Sequence, residues 1–201
     1  TVTRQIALAH TYGNGRDVSC RNTADSVSSL LKGIKVNHYL SVMMDAVPIL
    51  NDLVGGVEVE VLHDFTGIDD ALIQGQKMTL TGEQALLYVR TRYGLDDSTN
   101  SARMDRQKQY MNALYQVTQE RIANDSDFVV DASLSLSDYI VSDRSVTQLQ
   151  ALTEKFNQYE FLGIQSIAGE SKVGAEFMEF YPDEDALMEL VIHLFYQEVN
   201  P

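Results

Sequence analysis

The chain has 201 residues, 44% of them hydrophobic, and a formal net charge of -14. That length and apolar content suit one domain with a real core and exclude a disordered chain. The acidity excludes a broad nucleic-acid surface, and no stretch of about 18 apolar residues is present to cross a membrane.

In chain order, Thr23 reads as the N-cap of a helix carrying Ala24, Val27, Leu30 and Leu31, stopped by Gly33. Residues 36–44 read as a strand. Asp45 opens a short helix with Pro48 in its first turn, ended by Gly55-Gly56. Val57, Val59 and Val61 alternate with Glu58 and Glu60, the pattern of a half-buried strand. Thr81 with Gln84 three residues later predicts a capping box, and Leu86, Leu87 and Val89 supply an apolar side. After a polar loop over 94–101, a long helix is expected from about Ala102 to Ile122, with Met104, Met111, Leu114, Tyr115 and Ile122 as its apolar stripe. Ser145 is expected to cap a helix with Val146, Leu149, Leu152 and Phe156. Strands are expected over 161–168 and 176–181, and a terminal helix after Pro182-Asp183 with Leu187, Leu190, Val191, Leu194 and Phe195. Helices alternating with strands predict a single α/β domain over residues 1–201, a central mixed sheet flanked by helices. The chain opens on Thr1 with no initiator Met or signal peptide and reads as an excised or processed fragment.

The arginines carry the chemistry. Four of nine, Arg90, Arg92, Arg103 and Arg106, lie within 17 positions of an acidic chain. A guanidinium is a permanently charged planar fork suited to phosphate oxygens. Arg103 and Gln107, four apart on a helix, share a face in its first turns, where free N–H groups and the macrodipole favour an anion. Arg90 and Arg92 come from the preceding segment. Convergence of these groups would suit a pyrophosphate. The other reading of the same spacing is a set of surface ion pairs with Asp96, Asp97 and Asp105.

The remaining groups are quieter. Cys20 is the single cysteine and reads as an incidental buried thiol. His10, His38, His63 and His193 lack metal-ligand spacing, and Asp64, Asp69 and Asp70 lack the rest of a calcium loop.

The string Leu80-Thr-Gly-Glu-Gln-Ala-Leu-Leu-Tyr-Val-Arg90-Thr-Arg92, followed by Arg103-Met-Asp-Arg106-Gln107, resembles the LytR-CpsA-Psr family. The segments Ile6–Gly13, and Tyr39 through Leu53-Val-Gly-Gly-Val57-Glu-Val59, resemble its upstream motifs. The match to the family core runs over about 5–122, with 123–201 as the C-terminal part of the domain. The resemblance implies an extracytoplasmic, membrane-anchored enzyme, with the anchor outside this chain. Such an enzyme moves a glycopolymer, such as teichoic acid or capsular polysaccharide, from an undecaprenyl-pyrophosphate carrier onto peptidoglycan, with no nucleic-acid partner. It implies Arg90, Arg92, Arg103 and Gln107 as catalytic groups gripping the pyrophosphate. Arg106, Asn100 and His10 are implied as further pyrophosphate-binding positions. A hydrophobic tunnel for the polyprenyl chain is implied between sheet and helices. Mg2+ is the implied cofactor, with its aspartate ligands expected upstream of Thr1. Asn100 stands where the family often has Asp, three residues before the first arginine of its R-x-x-R-Q motif. Arg4 reads as an ordinary surface residue rather than a stand-in for an upstream phosphate-binding arginine.

Overall fold

A computed structural model describes residues 6–156, 159–174 and 178–196. They form two compact units, each drawn from separate stretches of chain: residues up to 41 with 141–144 and 165 onward, and residues 42–140 with 145–164.

The first unit contains helix α1 (Asp17–Leu30), the antiparallel strands β5 (Gly169–Val173) and β6 (Met178–Pro182), and helix α7 (Glu184–Phe195). The first helix begins six residues before the cap expected at Thr23. Thr23 sits inside it and its hydroxyl donates back to the Ser19 carbonyl at 3.0 Å. The helix ends as expected around Gly33, whose φ of +91° lets its N–H reach the Ser28 carbonyl at 2.8 Å. In α7, Asp183 caps both the Asp185 and Ala186 N–H groups, while Leu187 and Val191 are buried. Lys32 and Glu184 pair across this unit. The strand expected over 161–168 does not form: regular pairing starts at Gly169. Residues 176 and 177 of the other expected strand lie outside the described residues, and 178–182 is the strand β6.

The second unit holds α2 (Ala46–Leu53), β2 (Val57–Glu60), β3 (Lys77–Leu80), α3 (Gly82–Arg90), α4 (Asn100–Asn124), α5 (Phe128–Ser135) and α6 (Val146–Phe156). Strand β2 pairs antiparallel with β3, Val57 opposite Leu80 and Glu60 opposite Lys77. Val57 and Val59 point inward, with Glu58 and Glu60 outward, as the alternation requires. The short strand β1 (Leu40–Val42), all that remains of the strand expected over 36–44, pairs with β4 (Ile140–Ser142). The described strands form three two-stranded pairs and the described helices include seven α-helices, a mixed α/β content.

The core of this unit joins Val57, Val59, Val61, Phe65, Leu72, Leu80, Ala85, Tyr88, Tyr110 and Leu114. Buried Asn51 is fully engaged: its amide donates to the Leu80 carbonyl at 2.8 Å and its oxygen accepts from the Tyr110 hydroxyl at 3.2 Å. Helix α3 carries the predicted capping box, Thr81 and Gln84 each bonding the other's backbone N–H. Thr81→Ala is expected to cost about 1 kcal/mol, read as a lower urea midpoint at unchanged m-value. Beneath it, Gly82 packs so close that a Cβ would lie 2.7 Å from the Pro48 carbonyl oxygen.

Helix α4 starts two residues early because Thr99 caps it, accepting from the Ala102 N–H at 3.2 Å. Its buried face shares Leu114 with the expected stripe, and Ile122 packs partly against the core, but otherwise it differs. Ala102, Arg106, Tyr110 and Leu114 recur every four residues and face the core, whereas Met104 and Met111 are more than half exposed. An arginine occupies the position where the periodicity calls for an apolar side chain.

Candidate active site

The arginine segment is built at the junction of α3 and α4. Helix α3 stops at Arg90, and Thr91 turns into extended backbone (φ -59°, ψ 135°). Arg90 and Arg92 both line a cleft of about 550 Å3, with Asp69, Glu83, Gln84, Leu86, Leu87, Thr91 and Tyr93. The Arg92 guanidinium lies 5.4 Å from the Tyr93 ring centroid, and its Nε donates to the Ser98 carbonyl at 3.4 Å. Among the cleft's acids, Asp69 is already engaged, accepting from Gln84 Nε2 at 3.2 Å.

Arg103, Gln107 and Arg106 do not line that cleft. Arg103 is half-buried and held by its own helix: Nη2 donates to Asn100 Oδ1 at 2.5 Å, while its buried Nε has no partner among the described residues. Asn100 thus orients Arg103 through a neutral amide oxygen. Gln107 donates from Nε2 to the Val89 carbonyl at 3.0 Å. Arg106 is fully buried; its Nε donates to the Tyr88 carbonyl at 2.9 Å and its Nη2 to the Thr91 carbonyl. Burial lowers its pKa, because the charged form is poorly solvated there. His10 lies in a short 3-10 turn of the first unit, Arg90 through Gln107 in the second.

The ion pairs that would have made these arginines ordinary surface residues are not formed. Among the described residues, no carboxylate lies within 4.0 Å of Arg90, Arg92, Arg103 or Arg106. Asp96 instead accepts from the Asp64 N–H at 3.2 Å and sits 3.4 Å from His63. Asp97 accepts from the Thr99 N–H at 2.8 Å, a bond that holds its carboxyl below the usual range.

The resemblance implies Mg2+, yet among the described residues no group of three or more His, Cys, Asp or Glu side chains is placed to hold a metal ion. What these residues supply is guanidinium charge. Among them, too, no helix is long and apolar enough to cross a membrane.

The residues missed by sequence reasoning are Phe65 and Tyr88, which support this junction. Their rings stack at 5.7 Å between centroids, and Phe65 also lies 5.7 Å from the Arg106 guanidinium. The Tyr88 hydroxyl accepts from the Leu62 N–H at 3.2 Å and donates to Gln109 Oε1 at 2.6 Å. Tyr88 stood inside the family-like string 80–92 without being singled out, and the apolar side expected of α3 was Leu86, Leu87 and Val89.

A second cleft, of about 450 Å3, is lined by Gln109, Asn112, Ala113, Gln116, Phe161 and Gly163.

Comparison with known proteins agrees with the motifs. A profile of the LytR_cpsA_psr family matches residues 2–190. The polyisoprenyl-teichoic acid--peptidoglycan teichoic acid transferase TagU of Halalkalibacterium halodurans is 34% identical over 107 residues, 53% of this chain and 34% of the relative. The cell wall biosynthesis protein LcpA of Corynebacterium glutamicum is 29% identical over 200 residues, 91% of this chain and 35% of the relative. The crystal structure of Bacillus subtilis TagV superposes with a TM-score of 0.71 at 28% identity, covering 96% of this chain and 76% of that one. The chain spans about a third of the length of the curated relatives it matches. With the motifs in order and the fold shared, this chain belongs to the LytR-CpsA-Psr family.

Proposed function

We propose that the chain is the arginine-bearing part of a cell-wall glycopolymer transferase, acting on a polyprenyl-pyrophosphate-linked glycan with peptidoglycan as acceptor. The observation that carries this reading is a set of guanidiniums without carboxylate partners among the described residues, Arg90 and Arg92 on one cleft and Arg103 on the following helix α4, in a protein with carboxylates to spare. Unneutralised positive charge in an acidic chain is a standing attraction for a multiply charged anion. The names of the relatives, teichoic acid transferases, supply the substrate class.

The reaction is phosphoryl transfer. An acceptor hydroxyl oxygen forms a bond to the phosphorus that bears the glycan, and the bond from that phosphorus to the bridging oxygen breaks. Polyprenyl phosphate departs with the electron pair and the acceptor proton is lost to a base. Charge accumulates on the departing phosphate, so guanidiniums fixed beside it stabilise the transition state more than the bound substrate. Mg2+ would share that charge. The enzyme would work at the outer face of the cytoplasmic membrane.

The test is to incubate the full-length parent with Mg2+, a polyprenyl-pyrophosphate-linked glycan and peptidoglycan. Glycan appearing on peptidoglycan with release of polyprenyl phosphate is the expected result. Binding of the lipid pyrophosphate without turnover would reduce the protein to a binding module. A salt-sensitive shift of DNA, with no lipid binding, would point instead to gene regulation.

A further inference from the structure

The geometry points to Arg106 as a positioning residue that never touches the substrate but fixes where Arg90 and Arg92 sit, with Gln107 as its second stitch. The inference rests on the anion-site reading above. A helix leaves its last carbonyls without partners in the helix. At the end of α3 the Leu87 carbonyl is taken by the Thr91 N–H at 3.0 Å. Three others are taken by side chains of α4: Tyr88 and Thr91 by Arg106, and Val89 by Gln107. Thr91 is the residue between Arg90 and Arg92, so the guanidinium of Arg106 pins the backbone from which both cleft arginines project.

The energetics favour this role over that of a ligand. Arg106 has no exposed surface, whereas an anion in the cleft meets Arg90 and Arg92 at its wall. A buried cation needs compensation. Among the described residues Arg106 has no carboxylate partner, and it lies instead against the negative end of the α3 dipole and the face of Phe65. Its Nη1 is buried with no partner among the described residues, so the site tolerates an unsatisfied donor to keep the other two bonds. Lysine, a point charge without the fork, cannot bridge two carbonyls this way.

Titration of the chain with farnesyl pyrophosphate at several salt concentrations separates the roles. Arg90→Ala should weaken binding and lower the slope of log affinity against log salt by about one, as loss of a direct phosphate contact does. Arg106→Met should weaken binding on the order of 10-fold, about 1.4 kcal/mol, with the wild-type salt slope. Gln107→Met should do the same more weakly, about 3-fold, and carries the test if Arg106→Met does not fold. Wild-type affinity in the folded variants would overturn the positioning role alone, and a slope reduced as in Arg90→Ala would make Arg106 a ligand. No binding by the wild-type chain would overturn the anion site itself.

Discussion

Phe65→Ala is expected to destabilise the chain by about 3–5 kcal/mol, the usual cost of emptying a fully buried phenylalanine site. Phe65 has no exposed surface, packs among Val61, Leu72 and Tyr88 in the core, and stacks on the Tyr88 ring. Such a loss is a large share of the 5–15 kcal/mol that holds an ordinary domain together. It should also be felt at the cleft, since the same ring faces the Arg106 guanidinium. Removing it takes away both the packing and the π face that offsets a buried charge. Urea unfolding should show a midpoint far below wild type. Phe65→Leu, which keeps most of the volume, should recover more than half of the loss. Wild-type stability in Phe65→Ala would mean that the core does not rest on this ring.

The site junction was legible where the signal is local. A capping box needs four residues, and Thr81 and Gln84 announce the start of α3 without reference to the rest of the molecule. The Gly55-Gly56 stop was equally local, both residues having φ near +90°. Long-range decisions were not legible. The buried face of α4 is centred on Arg106, and arginine is almost never read as a core residue because its burial depends on partners elsewhere. Those partners, the orphan carbonyls of Tyr88 and Thr91, exist only once α3 has ended. Met104 and Met111 are therefore exposed, while Leu114 and Ile122 of the same expected stripe do reach the core. Thr23 misled in the opposite direction. A hydroxyl that suits a cap also bonds back within a helix, and here it bonds Ser19. The apolar residues of 161–168 imitate a strand, but Phe161 is spent on the Tyr115 ring, with centroids 4.1 Å apart.

The same distinction governs the arginines. Residue type and spacing picked out Arg90, Arg92, Arg103, Arg106 and Gln107 together. The spacing does not say which of them end at the cleft, because that depends on how α4 lies against α3. The fold separates the group into two cleft-lining cations, one cation held by Asn100, and two side chains bonded to backbone.

In the full-length parent, Arg90→Ala and Arg92→Ala are each expected to lower the transfer rate by on the order of 10²–10³, the loss typical of one preorganised donor at a developing oxyanion. Both side chains lie on the cleft without carboxylate partners among the described residues, so each would contribute its full charge to a bound phosphate. The double variant should fall short of the product of the two losses, because donors acting on one charge do not add. Lysine at either position should restore charge but not the paired hydrogen bonds, leaving an intermediate rate. Folding should be little affected, since Arg90 is exposed and Arg92 makes one long bond to the Ser98 carbonyl. Rate and thermal midpoint, measured on the same preparations, therefore separate this outcome from that of Phe65→Ala. Full transfer by the double variant would remove the cleft from the chemistry and leave the phosphate to be sought elsewhere on the protein.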